Sequence, residues 1–298
     1  MLHPPKWTEI PKYPVIAGLA VLAGGATLAW WANLDVSFAF QGAEIRRGQV
    51  WRLLTSILLH ADILHFAFNI YWLWVFGTLI ERVYGPAKSA GLILLFALGS
   101  NSLDFAFMDG GVGLSGVGYG LFGLLWILSH HDERFREAVD RNTVSVFVGW
   151  FLLCIATTVT NIMPVANVAH AAGAIFGVLV GAAIILSHYR LPALAGISAL
   201  LLLGIWGATF GRPLVNLSGR AGFEEGQWGY EALLADRNEE AARWLRDAAT
   251  LQPQIPQYWF NLGIAYHRLG NRTDAIEAYQ RAHELEPNNP AYAMPKLE

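Results

Sequence analysis

The stretch Ala169-His170-Ala171-Ala172-Gly173-Ala174-Ile175-Phe176-Gly177-Val178-Leu179-Val180-Gly181 decides how the rest of the chain is read. It lies in an apolar run over residues 167–188. About 20 mostly apolar residues suffice for a helix to cross a bilayer. An ionisable side chain inside a membrane is costly, which makes His170 a candidate functional residue. Gly173, Gly177 and Gly181 follow it at i+3, i+7 and i+11 and share its helix face. Such a row of small residues lets a second helix approach closely. The plainer reading is a buried histidine bonded to a backbone carbonyl. Either way the stretch predicts an all-α protein, a polytopic membrane helix bundle.

The composition agrees. Of 298 residues, 54% are hydrophobic and 14% are charged, where a soluble domain carries roughly 25% charged residues. This excludes a disordered chain and a basic nucleic-acid-binding protein, and no nucleic-acid partner is expected. Cys154 is the single cysteine, so neither an internal disulfide nor a thiolate metal cluster can form. The charge is uneven. Residues 1–212 hold 12 Lys+Arg and 11 Asp+Glu, while the much shorter 213–298 holds 8 and 12. The first segment reads as membrane domain and the second as a soluble domain, with the boundary near Gly211-Arg212-Pro213.

Seven stretches are apolar enough to span, near 14–32, 61–80, 88–107, 114–130, 144–161, 167–188 and 191–210. The first is too long for a signal peptide, and no small-residue cleavage site follows at Trp30-Trp31-Ala32-Asn33. Cytoplasmic loops carry an excess of Lys and Arg. With the N-terminus inside, the inner segments hold Lys6, Lys12, Arg82, Lys88, Arg134, Arg136, Arg141 and Arg190, and the outer ones Arg46, Arg47 and Arg52. The expectation is a cytoplasmic N-terminus and, after seven spans, an extracytoplasmic tail.

Under that topology the second, fourth and sixth spans all run from outside to inside. His65 and Asn69 then sit in the first turns of the second, Ser115 opens the fourth, and His170 lies one turn into the sixth. Residues distant in sequence reach one depth, in the outer half of the bilayer. Ser115 follows Gly111-Val112-Gly113-Leu114 and precedes Gly116. Glycine permits a tight turn into a helix N-terminus, whose free N–H groups suit an oxyanion. Taken alone, Ser115 reads as a helix-packing serine. Gly116, Gly120 and Gly123 could meet the glycine face beside His170, one means of bringing a serine and a histidine within about 3 Å as nucleophile and base. Tyr119, four residues after Ser115, could pack under the imidazole, against the plainer reading of an interface aromatic. His65 and Asn69, at i and i+4, can both donate toward an oxyanion. A metal site at His60, His65 and His170 competes. It is disfavoured because the step from His60 to His65 leaves the helix face.

The order Trp51-Arg52, His60-x4-His65-x3-Asn69, Glu81-x3-Gly85, Gly113-Leu114-Ser115-Gly116 and Ala169-His170-x2-Gly173-x3-Gly177 closely resembles the rhomboid family of intramembrane serine proteases. The match covers roughly residues 14–188. The resemblance implies a Ser–His dyad, with Ser115 as nucleophile and His170 as general base. It also implies an oxyanion hole from His65, Asn69 and the Ser115 N–H, and Tyr119 stacked on the base. His60, Glu81 and Trp51-Arg52 match positions with structural roles. The implied fold is a six-helix core plus one extra helix, 191–210, in which nothing looks catalytic. No cofactor or metal is implied. The substrates would be transmembrane segments of proteins in the bilayer, cut near the outer face. The location is a multi-pass protein of a plasma or inner membrane.

Residues 222–290 repeat with a 34-residue period. Gly229 pairs with Gly263, Ala241 with Ala275, Ala248 with Ala282 and Pro253 with Pro287. The second copy, with Trp259, Leu262, Gly263, Tyr266, Gly270, Ala275, Tyr279, Ala282 and Pro287, falls on tetratricopeptide positions. The expectation is a small α-helical tetratricopeptide domain that docks a protein or peptide partner, against the plainer reading of a solubilising appendage. For the whole chain, the reading that competes with a protease is a catalytically inactive membrane adaptor that holds client helices. The presence of both Ser115 and His170 favours the protease.

Overall fold

The computed structural model describes residues 5–294, which form helices and the segments joining them. The chain divides into two compact units, one running to Val215 and the other from Asn216. The first unit contains α1 (Pro14–Trp31), α2 (Ile63–Tyr84), α3 (Pro86–Phe107), α4 (Ser115–His131), α5 (Arg141–Val159), α6 (Asn167–Ile185) and α7 (Arg190–Ala208). All of them except α4 are long and apolar enough to cross a membrane, α7 together with the turn before it.

The fourth expected span is the one that falls short. α4 has 17 residues, about 25 Å at 1.5 Å per residue, against a hydrocarbon core of about 30 Å. The connection from α3 enters the bundle before the helix begins. Its Gly111 N–H donates to Gln41 Oε1 at 3.3 Å, and its Gly113 N–H donates to the Ser56 carbonyl at 3.0 Å. One side chain and one backbone carbonyl thus satisfy irregular backbone that lipid could not. As a result Ser115, the first residue of α4, lies among the helices.

α3 is the most enclosed of the six helices long enough to span, with Phe96, Ala97, Ser100, Ser102, Asp104 and Phe105 all buried. α1, α5 and α7 expose Val21, Leu22, Leu152, Val159, Leu191 and Leu202, a surface suited to hydrocarbon rather than water. α4 and α6 meet backbone to backbone. A Cβ at Gly173 would collide with the Gly116 carbonyl oxygen, and one at Gly177 with that of Gly120. A Cβ at Gly123 would strike the Ala174 carbonyl from the other side. Any side chain in these places would force the helices apart.

Two buried residues, one acidic and one basic, organise the rest of the unit. Glu81, 3% exposed, accepts the Val15 and Ile16 N–H groups, both at 3.0 Å. These are unpaired donors at the start of α1, where a negative charge is favoured. Arg52 pins the long segment between α1 and α2 by donating to the Ser37 carbonyl, to the Phe40 carbonyl at 3.0 Å and to Gln49 Oε1 at 2.8 Å. α2 itself widens into a π-helical stretch at Leu73–Gly77.

The second unit has four helices, α8 (Phe223–Leu234), α9 (Asn238–Leu251), α10 (Pro256–Arg268) and α11 (Arg272–Leu285). They form two antiparallel pairs. Gly229 lies against Leu245, and Gly263 lies against the Tyr279 ring. The paired glycines of the 34-residue repeat therefore do the same work in each copy. The core between the pairs is Ala232, Leu245, Leu262, Ala265, Ala275 and Tyr279.

Candidate active site

Ser115 and His170 are 55 residues apart in sequence, and their side chains meet with Oγ and Nε2 at 2.9 Å. The glycine faces of α4 and α6 make this approach possible. At Gly116 a Cβ would also run into Ser100 Oγ. His170 is 3% exposed. The Tyr119 ring stacks on the imidazole with centroids 4.7 Å apart and planes at 23°. Its hydroxyl donates to the Phe147 carbonyl at 3.0 Å, which fixes the ring. His170 Nδ1 has no hydrogen-bond partner among the described residues. Among the described residues, no carboxylate bonds to the imidazole itself. Tyr119 and the backbone of α6 hold it.

The turn into α4 is built by His60 and His65. Gly113 has φ +108°, a conformation that costs glycine little and other residues a great deal. A Cβ there would sit 2.7 Å from the His65 ring and 3.5 Å from His60. His60 is fully buried. Its Nε2 accepts the Leu114 N–H at 3.4 Å, and its Nδ1 lies 3.3 Å from Thr27 Oγ1. The Thr27 hydroxyl donates to the Leu58 carbonyl. Nδ1 is therefore the protonated nitrogen and donates to Thr27. Burial, with His65 beside it, holds the imidazole neutral by pushing its pKa down to about 3. His60 thus ties the residue before Ser115 to α1.

His65 Nδ1 accepts the Ala61 N–H at 3.4 Å, so Nε2 carries the proton and can donate beside Gly113. Asn69 is buried, and its amide donates to the His65 carbonyl at 2.9 Å, leaving one N–H of that amide. The Ser115, Gly116 and Val117 N–H groups open α4 and have no intrahelical acceptor. The structure thus brings Ser115, His170, Tyr119, Gly113, Gly116, His60 and His65 together. It turns the Asn69 amide back onto its own helix. A polar cluster absent from the sequence reading supports the approach to Ser115. Gln41 Nε2 and Asn101 Nδ2 both donate to Ser56 Oγ at 3.0 Å. Asn101 and Asp104, polar residues within the apolar run of α3, are the signal that could have drawn attention to this region.

These features define a multi-pass helical membrane protein with a partly buried serine at a helix start, paired with a buried histidine. Comparison with known proteins makes the class specific: the chain carries a rhomboid domain over residues 47–187, and a tetratricopeptide repeat over residues 256–289. It is 28% identical over 289 residues to rhomboid protease GluP of Bacillus subtilis (strain 168), covering 92% of this chain and 53% of that protein. It is 29% identical over 163 residues to rhomboid protease GlpG of Pectobacterium atrosepticum, covering 54% and 55% of the two chains. It is 38% identical over 129 residues to rhomboid-like protease 1 of Toxoplasma gondii, covering 41% and 44%. The chain spans about half the length of these relatives.

Proposed function

We propose that the protein is an intramembrane serine endopeptidase that cleaves transmembrane segments near the outer membrane face. The observation that carries this reading is the 2.9 Å approach of His170 Nε2 to Ser115 Oγ at the start of α4. Ser115 Oγ attacks the scissile carbonyl carbon while Nε2 takes its proton. The resulting oxyanion is held by the Ser115 N–H, by His65 Nε2–H and by the remaining N–H of Asn69. As the intermediate collapses, the imidazolium gives its proton to the leaving amine and an acyl-enzyme remains. Water, deprotonated by His170, then releases the carboxylate product and restores the serine.

A peptide bond inside a helix hides its carbonyl, so the substrate segment must unwind locally at the cut. Small or helix-weakening residues near the outer boundary are favoured for this reason. Residues 1–212 form the protease domain, and 213–298 form a soluble tail that binds a protein or peptide. The excess of Lys and Arg in alternate loops supports a cytoplasmic N-terminus and an extracytoplasmic tail.

The names of the relatives support the protease reading, as do the open N–H groups at the serine. Labelling with a fluorophosphonate tests it. Wild type is expected to label and Ser115→Ala is not. Equal labelling of the two removes Ser115 from the reaction, and a wild type that neither labels nor cuts leaves the adaptor reading.

A further inference from the structure

The last turn of α3 carries a buried acid with no part in the reaction just described. Asp104 is 1% exposed, and its Oδ1 accepts the backbone N–H of Ala169 at 3.1 Å. Ala169 is the third residue of α6, so this N–H is one of the four that the helix leaves unpaired. His170 is the next residue. A carboxylate is also favoured at the positive end of a helix. The second oxygen of Asp104 has no hydrogen-bond partner among the described residues and lies on the side of Gly111, where a Cβ would be 3.7 Å from it. A Cβ at Gly111 would also meet the Ala166 side chain, just before α6. Asp104 therefore stands between the segment leading to Ser115 and the turn bearing His170.

The same turn is held from the far end of the unit. Arg212 follows α7, beyond the segment that matches the rhomboid domain, and is 5% exposed. Its guanidinium donates to the Phe105 carbonyl and, at 2.6 Å, to the Met108 carbonyl. It lies 3.9 Å from the Phe105 ring centroid and within 3.7 Å of Asp109. The Phe105 carbonyl is among the last four of α3, which lack intrahelical donors, and a positive charge belongs at that end of a helix. Burying a guanidinium is expensive unless its donors are used, so this arrangement commits Arg212 to the end of α3.

We propose that Asp104 and Arg212 are positioning residues of the Ser115–His170 pair: Arg212 fixes the last turn of α3, and Asp104 on that turn anchors the first turn of α6. The inference rests on the dyad reading above. Neither residue touches the reacting atoms. Their effect passes through the Ala169 N–H to the neighbouring His170, whose 2.9 Å approach to Ser115 tolerates little displacement. The segment after α7 thereby belongs to the catalytic unit, although α7 itself offers no reacting group.

The test uses the full-length protein in detergent, a model transmembrane substrate and a fluorophosphonate, with rates expressed per folded enzyme. Asp104→Ala is expected to lower kcat and the labelling rate about tenfold while KM changes by less than about twofold. Asp104→Asn keeps an acceptor for Ala169 and is expected to recover most of the loss. Arg212→Gln is expected to lower kcat about three- to tenfold, and the double variant to be no slower than Asp104→Ala. Wild-type kcat in both single variants overturns the inference. So does a lower yield or Tm with kcat per folded enzyme unchanged. If Asp104→Ala does not accumulate folded, wild-type kcat in Arg212→Gln alone overturns it. A wild type that fails to label at Ser115 overturns the dyad reading, and this inference with it.

Discussion

At the scale of single residues, the proposed chemistry makes unequal demands on the side chains around Ser115. Ser115→Ala and His170→Ala are each expected to abolish cleavage of a model substrate, and the double variant to be no worse, because the pair acts as one unit. Asn69→Ala is expected to retain activity reduced by about 10² to 10³, the usual effect of losing one oxyanion donor. Wild-type turnover in Asn69→Ala across several substrates would leave this residue only its bond to the His65 carbonyl. The meeting of Ser115, His170 and Tyr119 was legible because helical spacing and small residues leave a pattern. Asp104, Arg212 and the Gln41–Ser56–Asn101 cluster were not. Their partners are largely backbone groups or polar atoms of distant elements, and such bonds impose no spacing on the sequence.

At the scale of elements, the paired glycine faces carry the site. Gly177→Val places a branched side chain against the Gly120 carbonyl and the Leu124 N–H. It is expected to destabilise by at least about 1–3 kcal/mol, the usual penalty of overpacking, and to lower Tm in detergent together with activity. A Tm equal to wild type would mean that α4 and α6 part without penalty. The N-cap of α5 gives a pH-dependent case. Asp140 accepts the Thr143 N–H at 2.8 Å and its hydroxyl at 2.7 Å. The backbone bond from Thr143, then that hydroxyl, hold the carboxyl below its usual range. The stabilisation is therefore present above the unfolded-state pKa, near 4, and fades as pH falls through the lowered native value. Asp140→Ala is expected to lower Tm at neutral pH and to narrow its gap from wild type in acid, as read by thermal unfolding at several pH values. The seven apolar runs could be read directly from the sequence. The short α4 and the π-helical stretch of α2 could not, because both are set by what the backbone meets inside the bundle.

At the scale of the whole molecule, the placement of Arg212 separates two truncations that look alike in sequence. A chain ending at Val215 keeps the first unit intact and is expected to cut a model substrate in detergent. One ending at Gly211 loses Arg212 and is expected to turn over about three- to tenfold more slowly with KM little changed. Equal rates for the two would make the residues after α7 dispensable. Orientation is open to a separate measurement. With Cys154→Ala and Leu217→Cys, a membrane-impermeant maleimide is expected to label intact cells, and labelling only after lysis would place the tail inside. The order of the parts along the chain has a consequence for biosynthesis. Ser115 is inserted long before His170, and the turn that Arg212 holds is complete only when the last helix of the unit has emerged. Chains fold from the N-terminus during synthesis, so a nascent protein carries its nucleophile past many potential clients while it is still inert. Under the proposed function, hydrolytic competence waits for the helix that carries His170 and is full only at the end of translation of the first unit, and a product terminated before His170 is harmless to the membrane in which it is made.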